Sequence, residues 1–176
     1  YDAMMPRVYR TGDSLLSNLL TIDTHIWNAK VLPFLHRYFG VFPQSGEGCF
    51  LRRSVVESLG GFPHSLTEDA MMSIEIAEAG GTFGLVDSRV YEQAPTSLRG
   101  HFTQRFRWNR GYLTCLWETL RADLPLKRRL GFVFPFLAPL TLIFTIPAWV
   151  FFMLYWVSAV VGGPDVVAPW MGTDWY

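Results

Sequence analysis

The sequence predicts an α/β fold followed by an apolar helix that is long enough to cross a membrane. Helix-like stripes of apolar residues alternate with short strand-like runs over residues 11–121, a pattern typical of α/β domains. Residues 130–164 then contain no charged side chain. We therefore expect an α/β domain over residues 1–125, an interfacial helix and a transmembrane segment over 126–164, and a loop over 165–176.

The composition argues against two common classes of protein. The 176 residues carry 15 lysines and arginines against 15 aspartates and glutamates, whereas nucleic-acid-binding modules usually carry an excess of cations. The two cysteines, Cys49 and Cys115, are far apart and lack the spacing of a metal site or a disulfide framework. We therefore expect reduced thiols in a cytosolic compartment and no nucleic-acid partner.

The first predicted helix follows the capping residues Thr11 and Asp13. Pro33 should interrupt or bend this helix, and Gly40 should end it. Apolar residues recur at helical spacing within it, which indicates one apolar face. We expect that face to pack on its own domain, with a partly interfacial helix as the alternative; it comprises Leu15, Leu19, Ile22 and Ile26 and is widened by Leu16, Leu20, Trp27 and Val31.

Shorter elements are predicted over residues 41–121. A glycine-rich turn leads to a strand at 48–52 and a helix at 54–59, which the glycine pair at 60–61 closes. Ser65 and Glu68 have capping-box spacing and predict the start of the next helix, which ends at the glycine pair 80–81. Residues 82–93 alternate enough for one or two strands, and a helix over 98–121 follows.

The uncharged C-terminal run predicts a membrane anchor, because about 20 apolar residues cross a bilayer. We expect an interfacial helix over 126–138 and one span over 140–161, kinked at Pro147, with a tight hairpin broken near Pro147 as the alternative. Lys127, Arg128 and Arg129 precede the run and predict a cytoplasmic location for the upstream domain. A pair of buried helices in a soluble protein is the competing interpretation.

The tripeptide Thr67-Glu68-Asp69 contains the first candidate catalytic residue. A carboxylate in the first turn of a helix ordinarily caps the helix and complements its macrodipole. A second interpretation is that Asp69 is a general base, which would have to face a cleft and reach a substrate hydroxyl within about 3 Å. Composition alone favours the capping role.

A polar face is predicted on the helix over 98–121. Gln104, Arg107 and Trp108 are spaced i, i+3 and i+4, so they lie on one face. A guanidinium can bind a diphosphate through two parallel hydrogen bonds, and an indole presents a flat face to a sugar ring. The alternative is a tryptophan packed in the core, with the arginines in surface ion pairs.

Taken in order, these motifs resemble the second half of the catalytic domain of membrane-embedded family 2 glycosyltransferases. This group includes cellulose, chitin, hyaluronan and poly-N-acetylglucosamine synthases. Its pattern is Asp, Asp-x-Asp, Thr/Glu-Glu/Gly-Asp and Gln-x-x-Arg-Trp, followed by membrane helices. Residues 45–62, SGEGCFLRRSVVESLGGF, are similar to the glycine-rich segment that precedes the base, and the likeness covers residues 41–125. The resemblance implies a GT-A fold.

The resemblance implies a role for each matching residue. Asp69 would be the base that removes a proton from the acceptor hydroxyl, and Trp108 would stack on the acceptor sugar. Gln104 and Arg107 would hold the donor diphosphate, with Arg105 as a helper. Further residues are expected around the donor and acceptor, namely Gly46, Gly48, Thr67 and Glu68; Glu47 and His64 are expected only as neighbours.

One part of the family pattern is missing from this sequence. The resemblance implies a uridine-binding aspartate and a metal-binding Asp-x-Asp, but no Asp-x-Asp occurs here. The Mg²⁺ or Mn²⁺ that the family implies would therefore take its ligands outside these residues. The chain begins at Tyr1 without a signal-peptide pattern, and we expect it to be part of a longer protein and inactive by itself.

The resulting prediction is an inverting hexosyltransferase at the membrane. It would transfer a sugar from a UDP-hexose or UDP-N-acetylhexosamine to a growing glycan, with its catalytic part cytoplasmic and its anchor in the plasma membrane. One alternative is a glycolipid synthase that adds a single sugar to a lipid acceptor. A second alternative is a non-catalytic protein whose basic helix binds anionic lipids, although lipid docking would not need a positioned carboxylate.

Overall fold

The computed structural model describes residues 1–162, apart from the side chains of Leu16 and Leu142. The predicted loop over 165–176 lies outside the described residues. The chain divides into a unit from Tyr1 to Ala138 and a second unit that starts at Pro139. The first unit contains a three-stranded sheet and six α-helices among the described residues, so the predicted mixed α/β character is confirmed.

The sheet is built around the N-terminal strand. Strand β1 (Ala3–Thr11) lies between the short antiparallel strand β2 (Phe50–Leu51) and the parallel strand β3 (Phe83–Gln93). The register between β1 and β3 shifts between Met5 and Arg7, on either side of Pro6, which has no N–H to donate. Strand β1 was not among the predicted elements, because proline and two arginines interrupt its apolar pattern.

The segment after β1 is helical from Leu15 to Phe39. It comprises helix α1 (Leu15–Ile26), a π-helical turn (Trp27–Val31) and helix α2 (Leu32–Phe39). The predicted interruption at Pro33 is not observed. Pro33 lies in the first turn of α2, where a missing N–H costs little, and the segment stays helical through it. Gly40 ends α2 as expected, with a left-handed φ of 73°.

The predicted apolar stripe of α1 packs on its own domain only in part. Leu15, Leu19, Ile22 and Ile26 are each more than half exposed, whereas Leu20 is buried. The other buried positions of this helical segment are Ser17, Asn28, Leu32 and Leu35. Asn28 accepts a hydrogen bond from the backbone N–H of Val8, so a polar contact helps to join the segment to β1.

Helices α3 (Arg53–Ser58), α4 (Glu68–Glu78) and α5 (Leu98–Arg121) follow the predicted order. The predicted capping box is wrong, because α4 begins at Glu68 and Thr67 occupies the N-cap without a side-chain capping bond. Residues 83–93 form the single strand β3. Ser97 caps α5 by accepting a hydrogen bond from the N–H of Gly100.

Helix α6 (Leu126–Phe136) closes the first unit against α5 and α2. Its Phe132 and Phe136 are fully buried, and Phe132 contacts Phe83 of the sheet. Arg128 and Arg129 donate hydrogen bonds to the backbone carbonyls of Ala77 and Ala122. Two of the three cations before the apolar run therefore bind the domain itself.

Helix α7 (Ala138–Gly162) has the length and apolar composition needed to cross a bilayer. It contains no charged residue. Pro147 lies within this continuous helix, and most of its described side chains are exposed. The length and composition of α7 are thus those of a transmembrane helix, and membrane insertion stays a prediction.

Candidate active site

A cleft of about 420 Å³ lies among β1, α1, the 45–47 loop, α4 and α5. This volume is within the range of small-molecule sites. Eight of the predicted site residues line it: Gly46, Thr67, Glu68, Asp69, Gln104, Arg105, Arg107 and Trp108. Among the described residues, the cleft therefore brings together the two candidate motifs, which are separated in sequence.

Asp69 is held in the cleft by two backbone donors. Its Oδ2 accepts a hydrogen bond from the N–H of Gly46 at 2.7 Å, and its Oδ1 accepts one from the N–H of Ala70 at 2.7 Å. Burial raises the pKa of this carboxyl above its usual value, and the nearby Glu68 and Glu47 raise it further, against the lowering effect of the two hydrogen bonds. Asp69 thus accepts a hydrogen bond from an N–H in the first turn of α4 and also faces the cleft.

The loop that contacts Asp69 is anchored to the same helix. Ser73 donates a hydrogen bond to the backbone carbonyl of Asp69 and accepts one from the N–H of Gln44. Ser45 donates to Glu47, whose side chain lines the cleft. These contacts fix the 44–47 segment against the first turns of α4.

Close packing brings the start of α4 against α5. A Cβ added to Gly111 would lie 2.4 Å from Cγ2 of Thr67, so only glycine fits at this point of α5. One turn later on α5, the buried Cys115 places its Sγ 3.4 Å from Oγ1 of Thr67. Burial raises the pKa of the Cys115 thiol to about 11, as is typical of an unreactive cysteine packed in the interior.

The cleft-facing side of α5 presents an amide, two guanidiniums and an indole. Gln104, Arg105 and Trp108 are partly buried, and Arg107 is exposed. Arg105 forms an ion pair with Asp23 of α1, and its Cζ lies 5.1 Å from the centroid of the Trp108 ring. Trp108 is therefore not a packed core residue, and the alternative of a surface ion pair is observed for Arg105.

Two buried polar atoms on α5 have no hydrogen-bond partner among the described residues. The Oε1 of Gln104 is buried and has no hydrogen-bond partner in the described part of the chain. The same holds for the Nδ1 of His101, one turn earlier on α5. Burial and the neighbouring Arg105 lower the pKa of His101, which favours the neutral imidazole.

Two of the expected residues do not line the cleft. Gly48 has a φ of 149°, and a Cβ there would lie 3.1 Å from Cγ of Pro6 and 3.2 Å from Cγ2 of Val90. Its φ and its packing against the sheet both favour glycine here, and the expected contact of Gly48 with substrate stays a prediction. His64, expected only as a neighbour, is exposed and also lies outside the cleft lining.

The cleft contains polar residues that the sequence motifs did not indicate. Arg10 of β1 and Glu92 of β3 are register partners and form an ion pair at 3.5 Å. No local sequence signal identifies them, because they meet only through strand pairing. Tyr112 also lines the cleft, and its i+4 spacing from Trp108 could have indicated it. Burial, followed by the charge of Asp69, raises the pKa of Tyr112 to about 12.

The described residues do not fit a metal site. Among residues 1–162, no group of three histidine, cysteine, aspartate or glutamate side chains could hold an ion. The Asp69 carboxylate, which lines the cleft, already accepts two backbone hydrogen bonds. We therefore assign no catalytic step in this chain to a metal ion.

Comparison with known proteins assigns the chain to a family. Over 125 residues it is 26% identical to "Probable glycosyltransferase YdaM" of Bacillus subtilis (strain 168), which covers 70% of this chain. The chain spans about 30% of the length of that relative. The sequence profile described as "Glycosyl transferase family group 2" matches residues 2–163. The chain that forms this cleft therefore belongs to glycosyl transferase family group 2.

Proposed function

We propose that the chain is the C-terminal part of the catalytic domain, with the membrane segment that follows it, of a membrane-bound, inverting glycosyltransferase that elongates a glycan. Sugar transfer is the activity that the family implies. The observation that carries the proposal is the shared cleft, in which the Asp69 carboxylate and the Trp108 indole line one cavity. A helix-capping aspartate without a catalytic role would have no need of such a cavity.

In this proposal Asp69 acts as the general base. Its carboxylate takes the proton of an acceptor hydroxyl while that oxygen forms a bond to the anomeric carbon of the donor sugar. The bond between that carbon and the donor diphosphate breaks on the opposite side, and the nucleoside diphosphate leaves. The raised pKa of Asp69 makes its ionised form a stronger base, and such assistance contributes about 10²–10⁴-fold.

The α5 face is proposed to bind both substrates. Arg107 is exposed at the cleft and forms no ion pair within the described residues, so its guanidinium is available to the donor diphosphate. The unpaired Oε1 of Gln104 can accept a hydrogen bond from a sugar hydroxyl, while its amide nitrogen donates to phosphate. Trp108 offers its ring to the acceptor sugar. A Mg²⁺ or Mn²⁺ ion, if used, would be bound elsewhere in the complete protein.

We also propose that α7 anchors the enzyme in the plasma membrane with the cleft on the cytoplasmic side. The length and uncharged composition of α7 support this location. Lys127 lies three residues before the uncharged run, and its charge favours a cytoplasmic position. Membrane lipids would then surround α7, and the glycan or lipid acceptor would meet the cleft near the bilayer.

The test uses membranes that contain the complete protein of which this chain is part. Radiolabelled transfer from a panel of nucleotide sugars should identify one donor, and Asp69→Asn should reduce that transfer by about 10²–10⁴-fold. Asp87→Asn, at an exposed position of β3, is the matched control and should retain activity. A polymeric product supports glycan elongation, whereas one sugar on a lipid would support the glycolipid alternative. Near-normal transfer by Asp69→Asn would refute the base assignment.

A further inference from the structure

Arg10 is a buried cation in the cleft that no motif explains. Only 5% of the residue is exposed, although it lines the cavity together with Trp108 and Arg107. Arginine is almost never this deeply buried unless its charge is paired, because removing a charge from water is costly. The interactions of Arg10 therefore indicate what the buried charge is for.

The pairing of Arg10 within the described chain is incomplete. Its Nε lies 3.5 Å from Oε2 of Glu92, which is the limit of a hydrogen bond. No terminal nitrogen of Arg10 forms a hydrogen bond with another described residue. Burial, the largest cause, raises the pKa of Glu92, so the charged form of this partner is itself disfavoured by its surroundings. The guanidinium thus keeps most of its five N–H donors for another acceptor.

Arg10 also differs from the other two arginines of the cleft. Arg105 is compensated by its close ion pair with Asp23, and Arg107 is exposed to solvent. The Cζ of Arg10 lies 5.5 Å from the centroid of the Trp108 ring, which holds the guanidinium beside the indole. Arg10 is therefore the one buried and incompletely paired cation among the described residues that line the cleft.

We infer that Arg10 is an additional substrate-binding residue, which binds the diphosphate of the nucleotide-sugar donor through its terminal nitrogens. This inference rests on the proposed function. Neutral sugar hydroxyls would not compensate a buried cation, whereas a phosphate accepts strong, charge-assisted hydrogen bonds from a guanidinium. In the proposed reaction with a neutral glycan acceptor, the donor diphosphate is the anionic group. Glu92 holds the guanidinium by Nε and leaves the remaining donors free for phosphate.

The test compares the binding of UDP and of uridine to the complete protein by titration calorimetry. Arg10→Met should weaken UDP binding by about tenfold or more, because it removes hydrogen bonds to a charged group. Uridine binding should stay unchanged, since uridine has no phosphate. Arg10→Lys keeps the charge without the planar array of donors and should give a smaller loss. Arg89→Gln, at an exposed position of β3, is the control and should leave both affinities unchanged.

Glu92→Gln separates ligand binding from a structural role. If Arg10 binds phosphate, Glu92→Gln should strengthen UDP binding, because the amide oxygen can still accept a hydrogen bond from Nε while the negative charge that repels phosphate is removed. If the ion pair only supports the β1–β3 contact, Glu92→Gln and Arg10→Met should weaken UDP and uridine binding alike, and the inference fails. It also fails if Arg10→Met changes only the KM for the acceptor. A wild-type protein that transfers no sugar would refute the proposed function, whereas active protein with unchanged UDP binding in Arg10→Met would refute this inference alone.

Discussion

The two walls of the cleft are held in place by different kinds of contact. At the start of α4, Asp69 is fixed by two backbone N–H groups, and the helix packs against α5 where Gly111 leaves no room for a methyl group. On the α5 wall, Arg105 and Trp108 are positioned by side-chain contacts, including an ion pair with the largely exposed Asp23.

This difference fits the different roles that we propose for Asp69 and for the arginines of α5. Backbone hydrogen bonds and close packing restrict the carboxylate to one position, which suits a group that must meet a reacting proton. Ion pairs at partly exposed positions contribute little stability and can exchange partners. In the proposed reaction, the arginine wall would therefore adjust to the donor diphosphate, while Asp69, the proposed base, stays in place.

Moving the base should have the largest effect. Asp69→Glu keeps the charge but adds a methylene to a carboxylate held by backbone donors, and a displacement of about 1 Å can reduce the rate 10²-fold. Arg107→Lys at the exposed wall should cost less than about tenfold. Steady-state kinetics of both variants in the complete protein measures the contrast. Equal losses would show that the two walls do not differ in this way.

Gly111→Ala tests the packing that positions α4. A Cβ at this site would lie within 3.0 Å of three side-chain atoms of Thr67, and overpacking of this kind typically costs about 1–3 kcal/mol. Both the free energy of unfolding and the transfer rate should therefore fall. Because Thr67→Ala removes the two closest atoms, the double variant should recover stability. Failure of this rescue in denaturant titrations would argue against the contact.

The pH dependence of transfer should reveal the burial of Asp69. Only the ionised carboxylate can accept a proton, and burial raises its pKa above the ordinary value of 3.8. The acid limb of kcat should therefore lie at higher pH than an ordinary aspartate would give. Glu68→Gln removes a neighbouring charge that contributes to the rise, so it should move the limb to lower pH. A limb that stays unshifted in this variant would contradict the assignment of the limb to Asp69.

The raised pKa of Asp69 also makes the free energy of unfolding depend on pH. Because the folded state binds this proton more tightly than the unfolded state, the contribution of Asp69 to the free energy of unfolding is greatest below pH 3.8. That contribution falls as the pH rises through the folded-state pKa. As the pH rises from 3.8 through the folded-state pKa of Asp69, the Asp69→Asn variant should therefore lose less stability than the wild type. Thermal unfolding across the pH range measures the difference.

The smallest effect is expected for Asp23→Asn. Asp23 and Arg105 have side chains that are 59% and 33% exposed, and solvent-exposed ion pairs contribute about 0.2–1 kcal/mol at most. The free energy of unfolding should change by no more than this. Release of Arg105 should alter UDP binding by only a few-fold. A loss as large as that of Gly111→Ala would show that this wall is also rigidly held.

Much of the fold was predictable because the local signals were strong. The boundaries of α5 agree with the prediction, since Ser97 caps it and its helical pattern is long. The start of α4 was misplaced because the capping-box spacing of Ser65 and Glu68 also occurs without a capping bond. The exposed stripe of α1 was misjudged because periodicity shows that a helix has an apolar face, without showing what covers it.

The sequence by itself determined the order of the motifs, the helical face shared by Gln104, Arg107 and Trp108, and the uncharged C-terminal helix. These properties depend on local spacing and composition, which a linear chain already contains. Only the tertiary structure brought Arg10 to Glu92 through strand pairing and placed Asp69 in the same cleft as the polar face of α5. Such contacts join residues far apart in the chain, and backbone pairing and close packing create them without leaving a local signature.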